Sequence, residues 1–106
     1  MARTLITLPA EVHHGDVIEI RCLIQHPMET GFRSGDDGQR LPRNLIRRFR
    51  CFYRGEQVFG AELYAAVAAN PLISFWLRVG DGGELRFSWE GDQGFSQSET
   101  RTLTVS

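Results

Sequence analysis

Six consecutive residues, His26-Pro27-Met28-Glu29-Thr30-Gly31, set an imidazole, a thioether and a carboxylate in one short corner of the chain. With a thiol from Cys22 or Cys51 they would supply the donors of a small metal site, and an imidazole beside a thiol is the pair that nucleophilic catalysis uses. Pro27 has no backbone N–H and pushes His26 into an extended conformation, so a strand must end here. Gly31 can then take a positive φ that other residues resist. The same six residues also make an ordinary turn, which is the commoner use of Pro and Gly.

The elements that would position this corner follow from period-2 alternation. Arg3 to Leu8 reads as a first strand ended by Pro9, and Val17 to Ile24 alternates as a second after the turn His13 to Asp16. Residues 31 to 43, rich in Gly and Asp, read as a surface loop. Residues 45 to 54 fit a helical stripe as well as a strand. The clustered aromatics and the turn at Gly55-Glu56 favour a strand from about residue 47. Strands are expected at Gln57 to Leu63, Ile73 to Val79 and Glu84 to Glu90, with a last one through Leu103 and Val105. A short helical turn is expected over Ala65 to Asn70, stopped by Asn70-Pro71.

About seven short strands with Gly/Asp turns predict one all-β domain over residues 1–106, an immunoglobulin-like antiparallel β-sandwich. Its expected core is Ile18, Ile20, Cys22, Ile24, Phe75 or Trp76, Leu85, Phe87, Trp89, Leu103 and Val105.

Chemistry on that scaffold is sparse. Superoxide-reducing iron proteins share the fold and hold iron with four histidines and a cysteine. Here only His13, His14 and His26 exist, and the first two are adjacent in a turn. Cys22 shares the phase of Ile18, Ile20 and Ile24, and Cys51 that of Phe49 and Tyr53, so both thiols face the core. Two buried, inert thiols are favoured over a bond between them and over a reactive thiol. Arg50 and Arg54 flank Cys51 in sequence but fall on the opposite strand face. Paired carboxylates occur only at Asp36-Asp37 in the loop, and no Gly-rich phosphate loop precedes a helix. The expectation is no catalytic residue, no cofactor and no metal.

The net charge of −1, with 42% hydrophobic and 24% charged residues, gives no global attraction to nucleic acid or membrane. Locally, residues 40 to 54 carry six arginines and no acid, with Phe49, Phe52 and Tyr53 interleaved, as a single-strand nucleic-acid surface requires. Residues 80 to 99 carry five acids against Arg86 and would repel phosphates if they lie nearby. A basic-patch nucleic-acid-binding domain and a metal-binding redox sandwich are therefore the alternatives to a protein-binding role.

One ordered set of motifs decides among them. After the hexapeptide come Leu41-Pro42-Arg43, then Phe49-Arg50-Cys51-Phe52-Tyr53-Arg54-Gly55-Glu56-Gln57-Val58-Phe59, then Ala66-Val67-Ala68-Ala69-Asn70-Pro71 and Ser74-Phe75-Trp76-Leu77-Arg78. In this order and spacing the chain resembles the SoxZ family over about residues 5 to 105. The family supplies the non-covalent partner subunit of the SoxYZ sulfur carrier in bacterial thiosulfate oxidation. The resemblance implies an immunoglobulin-like fold, a SoxY partner in a heterodimer or higher assembly, and transient docking with other thiosulfate-oxidation enzymes. SoxY holds its sulfur adducts on a cysteine in a mobile Gly-rich tail. This chain has no Cys and no Gly after Gly94, so it is expected to be the partner rather than the carrier of substrate. His26, Pro27, Met28, Glu29, Thr30, Gly31, Asn70, Pro71, Arg48 and Phe52 are the candidate docking residues, with Phe32 and Tyr64 as further exposed aromatics.

Met1 to Pro9 is too short and polar for a signal peptide, and no run reaches the ~18–20 apolar residues of a membrane span. The residues alone read as cytoplasmic. The resemblance implies periplasmic export bound to SoxY, whose leader uses the twin-arginine route.

Overall fold

Seven strands make up the regular structure of the computed structural model, which describes residues 2–64 and 67–106: β1 (Thr4–Thr7), β2 (Val17–Ile24), β3 (Ile46–Tyr53), β4 (Glu56–Glu62), β5 (Leu72–Arg78), β6 (Gly83–Gly91) and β7 (Ser96–Leu103). They form two antiparallel sheets, β1-β2-β5 and β4-β3-β6-β7. The chain crosses between the sheets after β2, β4 and β5, which is the immunoglobulin type of sandwich with an extra edge strand on the larger sheet.

Alternation fixes which side chains meet in the middle. Ile18, Ile20, Cys22 and Ile24 from β2 face Phe49 and Cys51 from β3 and Leu85, Phe87 and Trp89 from β6, and all are buried. Aromatic rings join the sheets: Phe49 lies 5.3 Å from Trp89 and 6.3 Å from Phe75, and Phe75 stacks on Phe59 at 4.4 Å. Losing one of these rings would cost about 3–5 kcal/mol. In β5 it is Phe75 that turns inward and Trp76 that turns out. Leu103 is buried, while Val105 lies past the end of β7 and is only half-buried.

The helix–strand ambiguity at residues 45 to 54 has a structural cause. Pairing with β6 shifts between Ile46, opposite Gly91, and Arg48, opposite Glu90, so Arg47 is an extra residue in a bulge. The bulge puts Ile46 and Phe49 three apart on the inner face and exposes both Arg47 and Arg48. That spacing mimics a helical stripe. The helical turn expected over 65–70 falls partly on residues 65 and 66, outside the described residues; Val67, Ala69 and Asn70 are bends and none of residues 67–70 is helical.

Candidate functional site

The hexapeptide forms the end of the sandwich, where β2 hands over to the loop. His26 and Met28 are buried, Glu29, Thr30 and Gly31 half-buried, and Pro27 exposed. Met28 has φ of 51° and Gly31 of 89°, both in the left-handed region, so the chain reverses sharply through the corner. The Met28 N–H donates to His26 Nδ1 at 3.0 Å, and the Ile46 N–H points at Met28 Sδ at 3.3 Å. Glu29 and Asn44 exchange backbone hydrogen bonds at 2.8 and 2.7 Å, carrying the corner across to β3.

Asn70 closes the corner from the other side. Its side-chain Oδ1 accepts from the His26 N–H at 2.9 Å, and its own N–H donates to the His26 carbonyl at 2.7 Å. Pro71 is buried, and its carbonyl accepts from the Ile24 N–H. The structure thus brings His26, Met28, Glu29, Asn70 and Pro71 together. Arg48 and Phe52 stand apart from them, on the outer face of the four-stranded sheet.

Because Nδ1 accepts a hydrogen bond, the neutral His26 ring carries its proton on Nε2. Nε2 and Asn44 Oδ1 are buried, and neither has a hydrogen-bond partner among the described residues. The ring packs edge-on against Phe95 at 5.0 Å. Burial holds the imidazole below its ordinary pKa, against the upward pull of the Asn44 side chain and the Asp92 charge.

On the outer sheet face the basic run is largely matched by acids. Arg43 and Arg47 reach Asp92 at 3.0 and 3.5 Å, Arg50 pairs with Glu90, and Arg54 reaches Asp81 at 3.5 Å. Burial pushes the Asp92 carboxyl up, but the Leu45 N–H and the Arg43 and Arg47 guanidinium groups outweigh it and hold the group below its ordinary value. Phe52 is half-buried rather than exposed, with the Arg86 guanidinium 4.4 Å over its ring. Three of the five acids of residues 80 to 99, Asp81, Glu90 and Asp92, therefore lie beside the arginines, an arrangement that opposes phosphate binding. Arg48, exposed, lines two open hollows of about 380 and 390 Å³ with Glu62. Phe32 and Tyr64, both well exposed, border a third of about 260 Å³ with Thr30.

Neither thiol is placed for chemistry. Cys22 and Cys51 are free and fully buried, and desolvation pushes both up to about 12. His13 and His14 precede β2 and His26 follows it, so eight strand residues, about 26 Å, separate them. Among the described residues, no three His, Cys, Asp or Glu side chains converge on one point. The residues present do not fit a four-histidine, one-cysteine iron site.

The whole-chain comparison settles the family. The model of the family "Sulphur oxidation protein SoxZ" matches residues 6–102. The chain belongs to the SoxZ family. That membership assigns it to sulfur oxidation. No individual curated protein sequence matches it. Solved structures of similar shape include the superoxide reductase (neelaredoxin) of Ignicoccus hospitalis, with a TM-score of 0.75, 14% identity, and coverage of 99% of this chain and 82% of that one. A superoxide reductase in the oxidised state gives 0.66 at 17% identity, covering 96% and 87%. A hypothetical protein of Pyrococcus horikoshii gives 0.67 at 13% identity, covering 96% and 88%. At such identities the likeness is one of fold: the SoxZ-family chain shares the sandwich of the superoxide reductases.

Sequence reading missed one feature. Leu5, Val17, Leu23, Leu72 and Trp76 occupy the solvent-facing phase of β1, β2 and β5, and all but half-buried Leu23 are at least half exposed. The signal was present as apolar residues in the polar phase of their strands.

Proposed function

We propose that this chain is the non-catalytic partner of a SoxY-type subunit, and that the pair carries thiosulfate-derived sulfur between separate oxidising enzymes. One observation carries the reading: the SoxZ family match runs from within β1 to within β7. Two buried thiols raised to about 12 fit a subunit that leaves the covalent chemistry to its partner. Export to the periplasm in complex with SoxY belongs to the same reading.

Docking of the SoxY tail or of a pathway enzyme is assigned to the corner end. Pro27 and Glu29 border a hollow of about 300 Å³ there with Arg33, Pro42 and Asn44. The rigid backbone set by His26, Met28, Gly31, Asn70 and Pro71 holds that rim in place; Arg48 and Phe52, apart from it on the outer face of β3, are a separate candidate contact. Reconstitution tests the function. Thiosulfate oxidation by the purified pathway enzymes with SoxY should need this chain, and the chain alone should turn nothing over. Full turnover without it would reject the proposal.

A further inference from the structure

The outer face of the three-stranded sheet differs from that of the four-stranded sheet in carrying a row of apolar side chains. Register sets Leu5 opposite Leu23 and Leu23 opposite Leu72, and Trp76 opposite Glu19. Leu5 and Leu72 are each 60% exposed and Trp76 67%. One exposed leucine is unremarked on any protein, but a row of three, with an exposed tryptophan on the same face beyond the Thr7, Arg21 and Ser74 row, is a surface of the kind that marks an interaction site. The outer face of the four-stranded sheet provides the contrast. Its rows run Glu62, Arg48, Glu90 and Ser96, then Gly60, Arg50, Ser88 and Ser98.

The strand beside the patch is also the undefended edge. β1 has four residues and stops before Pro9, and the buried Gln97 side chain ties the Ala2 backbone to β7. β4 is bulged at Val58 and begins and ends in glutamate. β7 is polar from Ser96 to Thr102. β5, LISFWLR, has seven residues with no Pro, Gly, Lys or bulge, and no strand pairs with its outer edge among the described residues. Edges of that kind recruit another chain unless something covers them.

We propose that β5 and the outer face beside it, from the Leu5, Leu23 and Leu72 row to Trp76, are the docking surface for a protein whose apposed surface is apolar and bordered by carboxylates. Charge selects that partner over a second copy. The face carries Arg3, Arg21 and Arg78 against Glu19, and Arg21 already holds Glu19 at 2.9 Å. Arg3 and Arg78 have no carboxylate within ion-pair reach among the described residues, so two such faces would set like charge against like. Trp and Arg are the residue types that most often anchor an interface core. The SoxY-type subunit is that partner; this step rests on the function proposed above.

The two tryptophans make the test direct, because Trp76 is exposed and Trp89 fully buried. Acrylamide quenching of the free chain therefore reports Trp76. Adding purified SoxY-type subunit from the same organism should protect the quenchable fraction and shift its emission to the blue. Trp76→Ser and Leu72→Ser should each weaken binding by about tenfold or more at unchanged urea midpoint, while Ser98→Ala on the opposite sheet leaves affinity unchanged. A complex in which Trp76 stays quenchable and Trp76→Ser binds like wild type overturns the surface and leaves the proposed function standing. Failure of the wild type to bind any SoxY-type subunit removes both. Protection by self-association in sedimentation, or by anionic lipid vesicles in place of the partner, overturns the assigned occupant.

Discussion

His26 and Asn70, 44 residues apart, hold each other by two hydrogen bonds: the His26 N–H donates to Asn70 Oδ1 at 2.9 Å, and the Asn70 N–H donates to the His26 carbonyl at 2.7 Å. The pair joins the corner after β2 to the turn before β5, so the two motif turns are one structural unit. Asn70 sits at φ of 52°, a conformation that Asn and Asp tolerate better than other side chains.

Removing the Asn70 side chain should therefore cost stability twice over. Asn70→Ala leaves the His26 N–H without its acceptor and removes the short polar side chain that eases the left-handed conformation, for about 1–3 kcal/mol together. Asn70→Asp keeps an acceptor and should stay within about 0.5 kcal/mol of wild type. Urea midpoints measure both, and equal losses in the two variants would contradict the clamp.

Local alternation made the strands legible, and tertiary contacts explain what was not. β2 and β6 could be placed because each alternates apolar residues on a buried face with polar or less buried ones on the other. LISFWLR in β5 is apolar on both faces, so nothing local separates Phe75 from Trp76; the open edge and exposed outer face supply the reason. Residues 45 to 54 looked partly helical because a bulge at Arg47 changes the spacing of Ile46 and Phe49. The hexapeptide was visible as a corner, but the burial of His26 and Met28 depends on Asn44 and Asn70, distant in sequence. Phe52 read as exposed because the sequence does not show Arg86 folding over it.

Acid should weaken the corner through His26. Burial, opposed by Asn44 and Asp92, lowers its folded pKa from the ordinary 6.5. The unfolded chain therefore takes up the proton first, and stability is full above about pH 6.5, falls as pH drops through that value, and levels off below the folded pKa. Protonation at Nδ1 also ends the hydrogen bond from the Met28 N–H. Urea midpoints between pH 7.5 and 5 should decline in wild type and decline less in His26→Gln; identical slopes would refute the assignment.

The thiols should be silent in the folded chain. Raised from 9.0 to about 12, Cys22 and Cys51 hold about a thousandfold less thiolate than unperturbed thiols at pH 8, and both are fully buried. An aromatic disulfide reagent should count fewer than one thiol per native chain and two in concentrated urea. Rapid native labelling would contradict the structure, as would the absence of thiols after unfolding.

The bulge that exposes Arg47 and Arg48 depends on Gly91. A β-carbon there would lie 2.3 Å from the Leu45 carbonyl oxygen and 2.9 Å from Ile46 Cα. Gly91→Ala should destabilise by about 1–3 kcal/mol. Gly80→Ala, with open space at its β-carbon, should stay within about 0.5 kcal/mol of wild type. Thermal melts of the two variants separate the cases, and an unperturbed Gly91→Ala would mean that β3 and β6 pair differently.

The central claim is partnership, and titration calorimetry measures it most directly. The full chain titrated into a SoxY-type subunit from the same organism, with size-exclusion light scattering on the mixture, should give saturable binding and a stable mixed assembly containing both subunits. The absence of both heat and a mixed species at micromolar concentrations would contradict the account.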